Sequence, residues 1–404
     1  MHVCVLGAGI VGLAAAYTLN RAGHRITLID QGQPGEGTSA GNGAQLSYGH
    51  VQPLADASIW RQLPKLLLAP DSPLKVRPQL DPQQWRWALQ FLAACNQKTA
   101  DETSARLLEL AESSRTGFDA MRADLDPDCD FSATGKLVLY ATDEALAGAR
   151  RQFELQRSLG SRQQVLDRQQ CTEIEPALAG YGASIAGGVF TPDDCAADCL
   201  KVCRALAAAL AARGVQQRFG TRIEGLKVES GAVKAVRTNA GDVPADAFVL
   251  ALGAASFGLG REAGVRLSLY PLKGYSITLD VGSIAGSLPQ VSVTDSTRKV
   301  VFARIGNRLR IAGMAEIVGH DPAIPEARIE TLQRATEEVF PQLAGAPLLE
   351  RWAGMRPATP TGRPIVGRLP GAPKNLLFNT GHGALGFTLA FGTAQRIERE
   401  LSGV

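Results

Sequence analysis

The hydrophobic positions change period twice within the first thirty residues. "HVCVL" is a short continuous apolar run, the mark of a strand buried on both faces, and it ends at Gly7. Apolar residues then continue at helical spacing to about Arg21, Gly23 turns the chain, and "RITLID" predicts a second strand. Two later stretches repeat this apolar-run-to-glycine pattern: "ADAFVLALGAAS" at 245–256, and a strand, glycine turn and helix in "NLLFNTGHGALGFTLAFGTAQRIERELSG". Between the halves, Val215–Phe219, Thr221–Val228 and Val233–Thr238 predict short strands of a hairpin-rich insertion. "ATGKLVLYAT" (133–142), "GGVFTP" (187–192), "GYSITLDV" (274–281) and "KVVFARIGNRLRIAGMAE" (299–316) alternate as strands do, the last with a hairpin turn at Gly306-Asn307.

The first of these patterns carries chemistry. Gly7, Ala8, Gly9, Ile10, Val11 and Gly12 have the GxGxxG spacing between a strand and a helix, and Asp30 ends the next strand. That unit binds an adenine dinucleotide: the glycines let backbone approach a pyrophosphate, the helix N-terminus faces it, and the acid holds a ribose hydroxyl. An acid at position 30 disfavours NADP, whose 2′-phosphate it would repel. The rest of the chain favours FAD over NAD, because two further cradles are present. One is "GEGTSAGNGAQLSYGH" (35–50), where Ser39, Asn42, Gly43 and Ala44 are candidates to hold the ribityl chain and isoalloxazine. The other comprises Gly253 and the last helix start at Gly381, His382, Gly383, Leu385 and Gly386, whose N–H groups suit the N1–C2=O edge of a reduced flavin.

Composition narrows the class without naming it. The chain has 404 residues, 45% hydrophobic and 20% charged, with a formal net charge of +3, so two connected domains are expected and no nucleic-acid footprint is present. Seven cysteines and a first strand starting at His2 lead us to expect a reduced, cytoplasmic chain without a signal peptide. Cys195, Cys199 and Cys203 share one helix face, but with no histidine at ligand spacing they are expected to be core residues, not a metal site. No cysteine lies in the last two hundred residues, so the flavin is expected to be non-covalent as regards a C-terminal thiol. Residues 59–94 hold three of the four tryptophans beside Arg61, Lys65, Lys75, Arg77 and Arg86; this suits either a membrane surface or helices folded over a site. "GMRPATPTGRPIVG" (354–367) holds Arg356 stiffly between Gly354 and Pro357, as befits a guanidinium that grips a planar anion.

These motifs together resemble the FAD-dependent amine and amino-acid oxidoreductases of the D-amino-acid oxidase superfamily. The nearest likeness is to the bacterial D-amino-acid dehydrogenases (small, catalytic subunit), and it runs nearly end to end. It rests on "LGAGIVGLAAAYTLNRAGH", "TSAGNGAQLS", "LYPLKGYSIT", "RIAGMAEIVG", "GMRPATPTGRPIVG" and "NTGHGALGFTLAFGT". Two departures stand out: the order of Gly and Ala after Asn42, and Thr361 where the family carries an acid. The resemblance implies an α/β fold with an α+β substrate part. Its Rossmann-like FAD domain would come from residues 1–88, 193–260 and 345–404, interleaved with an antiparallel-sheet substrate domain from 89–192 and 261–344. It implies oxidative deamination of D-amino acids to 2-oxo acids and ammonia, with hydride passing to flavin N5 and electrons to a quinone or another acceptor. It makes Arg356 the carboxylate anchor, with Arg363 as second choice. Tyr275 is either a second carboxylate ligand or a core aromatic; Lys273 either approaches the flavin or is structural. His50 and Tyr48 are expected to line the pocket, and His382 to position the flavin. Rival readings are a D-proline or hydroxy-D-proline dehydrogenase, a glycine- or sarcosine-type oxidase, and a flavin subunit of an electron-transfer complex. If the acceptor is a membrane quinone, residues 59–94 would dock the chain peripherally on the inner face of the membrane.

Overall fold

A computed structural model describes residues 1–51, 53–57, 59–60 and 74–403. Positions 61–73 of the tryptophan-rich segment, including Arg61 and Lys65, lie outside the described residues.

The opening strand His2–Leu6 sits inside a six-stranded sheet. Across the sheet the strands run Ile365–Gly367, Leu376–Thr380, Ala247–Leu250, His2–Leu6, Arg25–Ile29 and Gln216–Arg218. All neighbours are parallel except the first pair. The apolar run explains the double burial: Val3 and Val5 face one core, Cys4 and Leu6 the other. On the first face pack the helices Ile10–Arg21, Gln97–Leu125, Cys199–Ala212 and Gly386–Ser402. The second face is covered by a three-stranded sheet (Ile223–Glu229, Ala232–Thr238, Val243–Pro244) and the short helix Ser256–Glu262. The expected hairpin insertion is therefore present, with one correction. Gln216–Arg218 pairs parallel with Arg25–Ile29 and closes the main sheet instead of joining the hairpins.

A second, nine-stranded sheet carries Leu348–Ala358 at one edge. Tyr270–Asp280, Arg308–Ile317, Val300–Ile305, Ser292–Asp295, Lys136–Tyr140, Gly187–Thr191 and Gln164–Asp167 follow in that order, with Leu74–Val76 pairing Arg308–Ile317. It is antiparallel apart from two parallel joins. One face packs against the helix Glu326–Val339 through Tyr275, Ile277, Leu279, Ile311, Leu332 and their neighbours. The hairpin expected at Gly306-Asn307 joins Val300–Ile305 to Arg308–Ile317. Two segments sit across the domain division expected from sequence. Helix Gln97–Leu125 packs with the first and last helices on the parallel sheet, and strand Leu348–Ala358 belongs to the nine-stranded one. Cys199 and Cys203 are buried in the core beneath the first helix. No helix among the described residues is long and apolar enough to cross a membrane.

The close approach of the first helix to its strand depends on Gly12. A β-carbon there would stand 1.9 Å from the Gly7 carbonyl oxygen, and Gly7 itself has φ 110°. Gly12→Ala is expected to cost about 2 kcal/mol or more by forcing helix and strand apart. A melting temperature several degrees lower, with reduced flavin content in the purified protein, checks this.

Candidate active site

Three adjacent parallel strands end in open backbone. Gly9 follows His2–Leu6, Gly253 follows Ala247–Leu250, and Gly383 follows Leu376–Thr380. A β-carbon at Gly253 or Gly383 would meet nothing within 4 Å, and at Gly9 only Ser39 Oγ at 3.5 Å. Gly253 and Gly383, with φ of 57° and 56°, turn their strands outward here. The crevice outside the carboxyl ends of the strands is where such sheets take ligands. Around it, Ala8 N–H donates to Asp30 Oδ2 (2.6 Å) and Ile10 N–H to Ser39 Oγ (3.0 Å). No side chain caps the last helix, where Leu385 and Gly386 are half-buried. Val11 is also half-buried at the start of the first helix. Two uncrowded glycine turns and an uncapped helix start fit a flavin dinucleotide.

From this crevice the segment 38–50 is laid across the open face of the nine-stranded sheet, strand by strand. Thr38 Oγ1 donates to the Met355 carbonyl at 3.1 Å. The ring of Trp352 fills the place a β-carbon of Gly41 would take. Arg310 Nη1 donates to the carbonyls of Ala40 (2.9 Å) and Asn42 (3.3 Å). Gly43 lies against Val301, and Ala44, at φ 58°, is held by its N–H to Asn42 Oδ1 (2.8 Å). Gln45 Nε2 donates to the Val293 carbonyl (3.4 Å), Lys136 Nζ to Ser47 Oγ (2.9 Å), and Gly49 N–H to Asp194 Oδ1 (2.7 Å). The cradle residues expected from the sequence, Ser39, Asn42, Gly43 and Ala44, are thus brought together between the two sheets.

Of the side chains that support this loop, Arg310 opens "RIAGMAEIVG", whereas Lys136 and Asp194 belong to no motif, although a lysine inside the apolar run "KLVLY" is a visible signal. Burial lowers the Lys136 ammonium and pushes the Asp194 carboxyl up to about 6, the nearby lysine opposing the latter.

Arg356 stands on the same sheet face as this loop. Its guanidinium lies over Gly274, whose β-carbon would come within 2.3 Å of Cζ, and Nη1 donates to the Met314 carbonyl at 2.7 Å. Among the described residues no carboxylate pairs with it. Burial, unopposed by any acid, pulls its pKa down to about 10. A cation sunk in the fold with most of its donors unspent calls for an anion.

Several candidates expected from the sequence fall elsewhere. Tyr275 and Lys273 alternate onto the opposite face of their strand. Tyr275 donates to Glu316 Oε2 (2.7 Å), itself paired with Arg328, and the Lys273 ammonium bonds the Ala323 carbonyl. They are core groups that tie the sheet to the 318–326 segment and its helix, because residues 273 and 275 share parity while Gly274 faces the site. His50 lies over Gly187–Thr191 and Lys136–Tyr140, strands at the other end of the sheet from Arg356, in a small cavity with Gln156 and Gln163. Arg363 is exposed on the turn after Thr359. His382 turns inward, its Nε2 3.1 Å from Thr393 Oγ1, so it orders the last helix and leaves the open backbone to Gly383. Tyr48 is buried beside this loop, and burial raises its phenol pKa.

The open crevice on a parallel sheet, the loop laid between the sheets and a half-buried guanidinium without an acid partner among the described residues fit a flavin-dependent oxidoreductase. Residues 2–399 match the DAO family, described as FAD dependent oxidoreductase. The chain belongs to that family, and its cofactor is FAD. Among curated relatives, D-amino acid dehydrogenase 2 of Ralstonia nicotianae is 47% identical over 406 residues, covering 98% of this chain and 95% of its own. The Pseudomonas aeruginosa protein of the same name is 44% identical, covering 99% and 94%. Glycine oxidase from Geobacillus kaustophilus shares the fold with a TM-score of 0.76 at 23% identity, covering 99% of this chain and 94% of its own.

His50 and His382 give a prediction independent of substrate. Burial pushes both down to about 3 from an ordinary 6.5, so below pH 6.5 the unfolded chain binds protons that the folded chain refuses. Stability should fall as pH drops from about 6.5 towards 3, by up to about 1.4 kcal/mol per pH unit for each histidine. Melting temperatures across that range should show a shallower slope in the His50→Gln, His382→Gln double variant.

Proposed function

We propose that this chain dehydrogenates D-amino acids to the corresponding imino acids, which water converts to 2-oxo acids and ammonia. The observation that carries this reading is Arg356, a half-buried guanidinium with no acid partner among the described residues, on the face opposite the open crevice. Its planar fork meets a carboxylate through two parallel hydrogen bonds, which fixes the α-carbon relative to the crevice. Bound FAD supplies the redox chemistry, taking the α-hydrogen as hydride at N5. Gly9, Ser39, Ala44, Gly253 and Gly383 would hold it. No base need be supplied by the chain if the amine binds neutral, which agrees with Tyr275, Lys273 and His50 lying away from the Arg356 fork. The curated relatives named D-amino acid dehydrogenase support both the substrate class and a non-oxygen acceptor.

A quinone is the acceptor we favour, reached by peripheral contact with an anionic membrane. Helix Pro82–Ala94 turns Trp87 inward, where Nε1 donates to the Ala358 carbonyl at 2.8 Å, and turns Trp85 and Leu89 outward. Trp85 is 52% and Leu89 68% exposed, beside exposed Arg86. One apolar stripe with basic flanks suits a lipid headgroup boundary.

Two measurements test these statements. Arg356→Ala should keep its flavin while KM for D-amino acids rises about a hundredfold or more, as expected when one partner of a buried charge pair is lost. Unchanged turnover would remove the assignment. Trp85→Ser with Leu89→Ser should abolish sedimentation with phosphatidylglycerol vesicles and leave soluble-dye reduction intact; sedimentation at the wild-type level would exclude this surface.

A further inference from the structure

An anchor arginine works only if its fork holds one pose, and a side chain with four rotatable bonds on an edge strand does not hold itself. We infer that Gly274 and Met314 form a seat that sets the pose of the Arg356 guanidinium, and so are positioning residues for the substrate carboxylate. The inference rests on Arg356 being that anchor.

The seat is built by an irregularity in the sheet. Tyr275 pairs with Gly313 but Lys273 pairs with Glu316, so Met314 and Ala315 both stand opposite Gly274. This is a β-bulge, a device that re-aims groups beside functional sites. Met314 has φ 62° and is the one non-glycine residue inside a strand with positive φ among the described residues. Its side chain is buried in the core with Tyr275 and Leu332, on the helix face of the sheet. Its carbonyl consequently turns to the opposite face, where it accepts the Arg356 Nη1 hydrogen at 2.7 Å. A left-handed methionine is a disfavoured conformation, and the contact it delivers is this one.

Gly274 supplies the floor. The guanidinium lies flat where a β-carbon would be, 2.3 Å from both Cζ and Nη2. On the anchor strand the indole of Trp352 covers Gly354 in the same way, closing the neighbouring position. One nitrogen of the fork is committed to the Met314 carbonyl, Gly274 leaves room for the guanidinium, and the remaining donors have no acceptor among the described residues. An alanine at 274 leaves the strand pairing possible but must displace the guanidinium, whose Cζ, Nη2 and Nη1 are the atoms nearest to it.

The experiment compares holoenzyme variants by steady-state kinetics with a soluble dye and by titrating the flavin spectrum with benzoate, a simple carboxylate probe. Gly274→Ala should retain flavin, raise KM for D-amino acids and the benzoate Kd about tenfold or more, and leave kcat within about threefold. Met314→Val should do the same, because a β-branched residue resists positive φ, whereas Met314→Leu should stay close to wild type. The seat is overturned if Gly274→Ala keeps both constants within about twofold, or if Val and Leu at position 314 behave alike. Arg356→Ala, run alongside, separates the two levels. Unchanged benzoate binding there removes the anchor itself, while loss of binding there with Gly274→Ala unaffected removes the seat alone.

Discussion

The structure depends on one buried stretch of backbone. Residues 39–50 leave the dinucleotide turn and run between two sheets, where water is largely kept from their peptide groups. Buried N–H and C=O groups without partners are costly, so the nine-stranded sheet must supply partners at each crossing. Arg310 serves the carbonyls of Ala40 and Asn42, and Asp194, just past the strand Gly187–Thr191, accepts from the Gly49 N–H, while Lys136 donates to the Ser47 hydroxyl. At the other end Ser39 closes on the first turn of the dinucleotide helix. The two sheets are thereby parts of one site, and neither half makes the cradle alone.

Burying cations under a loop carries an electrostatic cost that can be read from the side chains. Lys136 loses part of its preference for charge, and Asp194 is raised to about 6, because desolvation outweighs their mutual attraction. Arg310 is relieved by backbone carbonyls and by Glu350 at 3.3 Å. Arg356 differs in kind. Among the described residues it has a single backbone acceptor and no acid, so nothing there offsets its desolvation. A structural arginine would be expected to have acquired a carboxylate partner, as Arg328 has with Glu316 at 2.7 Å. The contrast between these two arginines is what supports the proposal that Arg356 is directed at a ligand, whereas Arg328 braces the fold.

One strand, Tyr270–Asp280, shows how near a motif and its chemistry can be without coinciding. Gly274 lies against the Arg356 guanidinium while its neighbours Lys273 and Tyr275 turn into the opposite core, where they meet Ala323 and Glu316. The alternation itself is legible in "LKGYSIT", but not which face receives a helix and which the loop. His50 departs from expectation for a related reason. It follows the cradle by only six residues, yet an extended segment carries it beyond the strands that border Arg356.

The sequence by itself determined the elements whose signals are local. The glycine turn between Leu6 and Ile10, the acid at the end of the second strand, the three cradles and a stiffly held Arg356 each follow from residues a few positions apart. Backbone conformation and periodicity act at that range. Only the tertiary structure decided which groups would be neighbours across the sheets. The bulge at Met314, the supports at Arg310 and Lys136, and the inward turn of His382 depend on the register between strands distant along the chain. That register is set by packing both sheet faces at once, which no single stretch of sequence encodes.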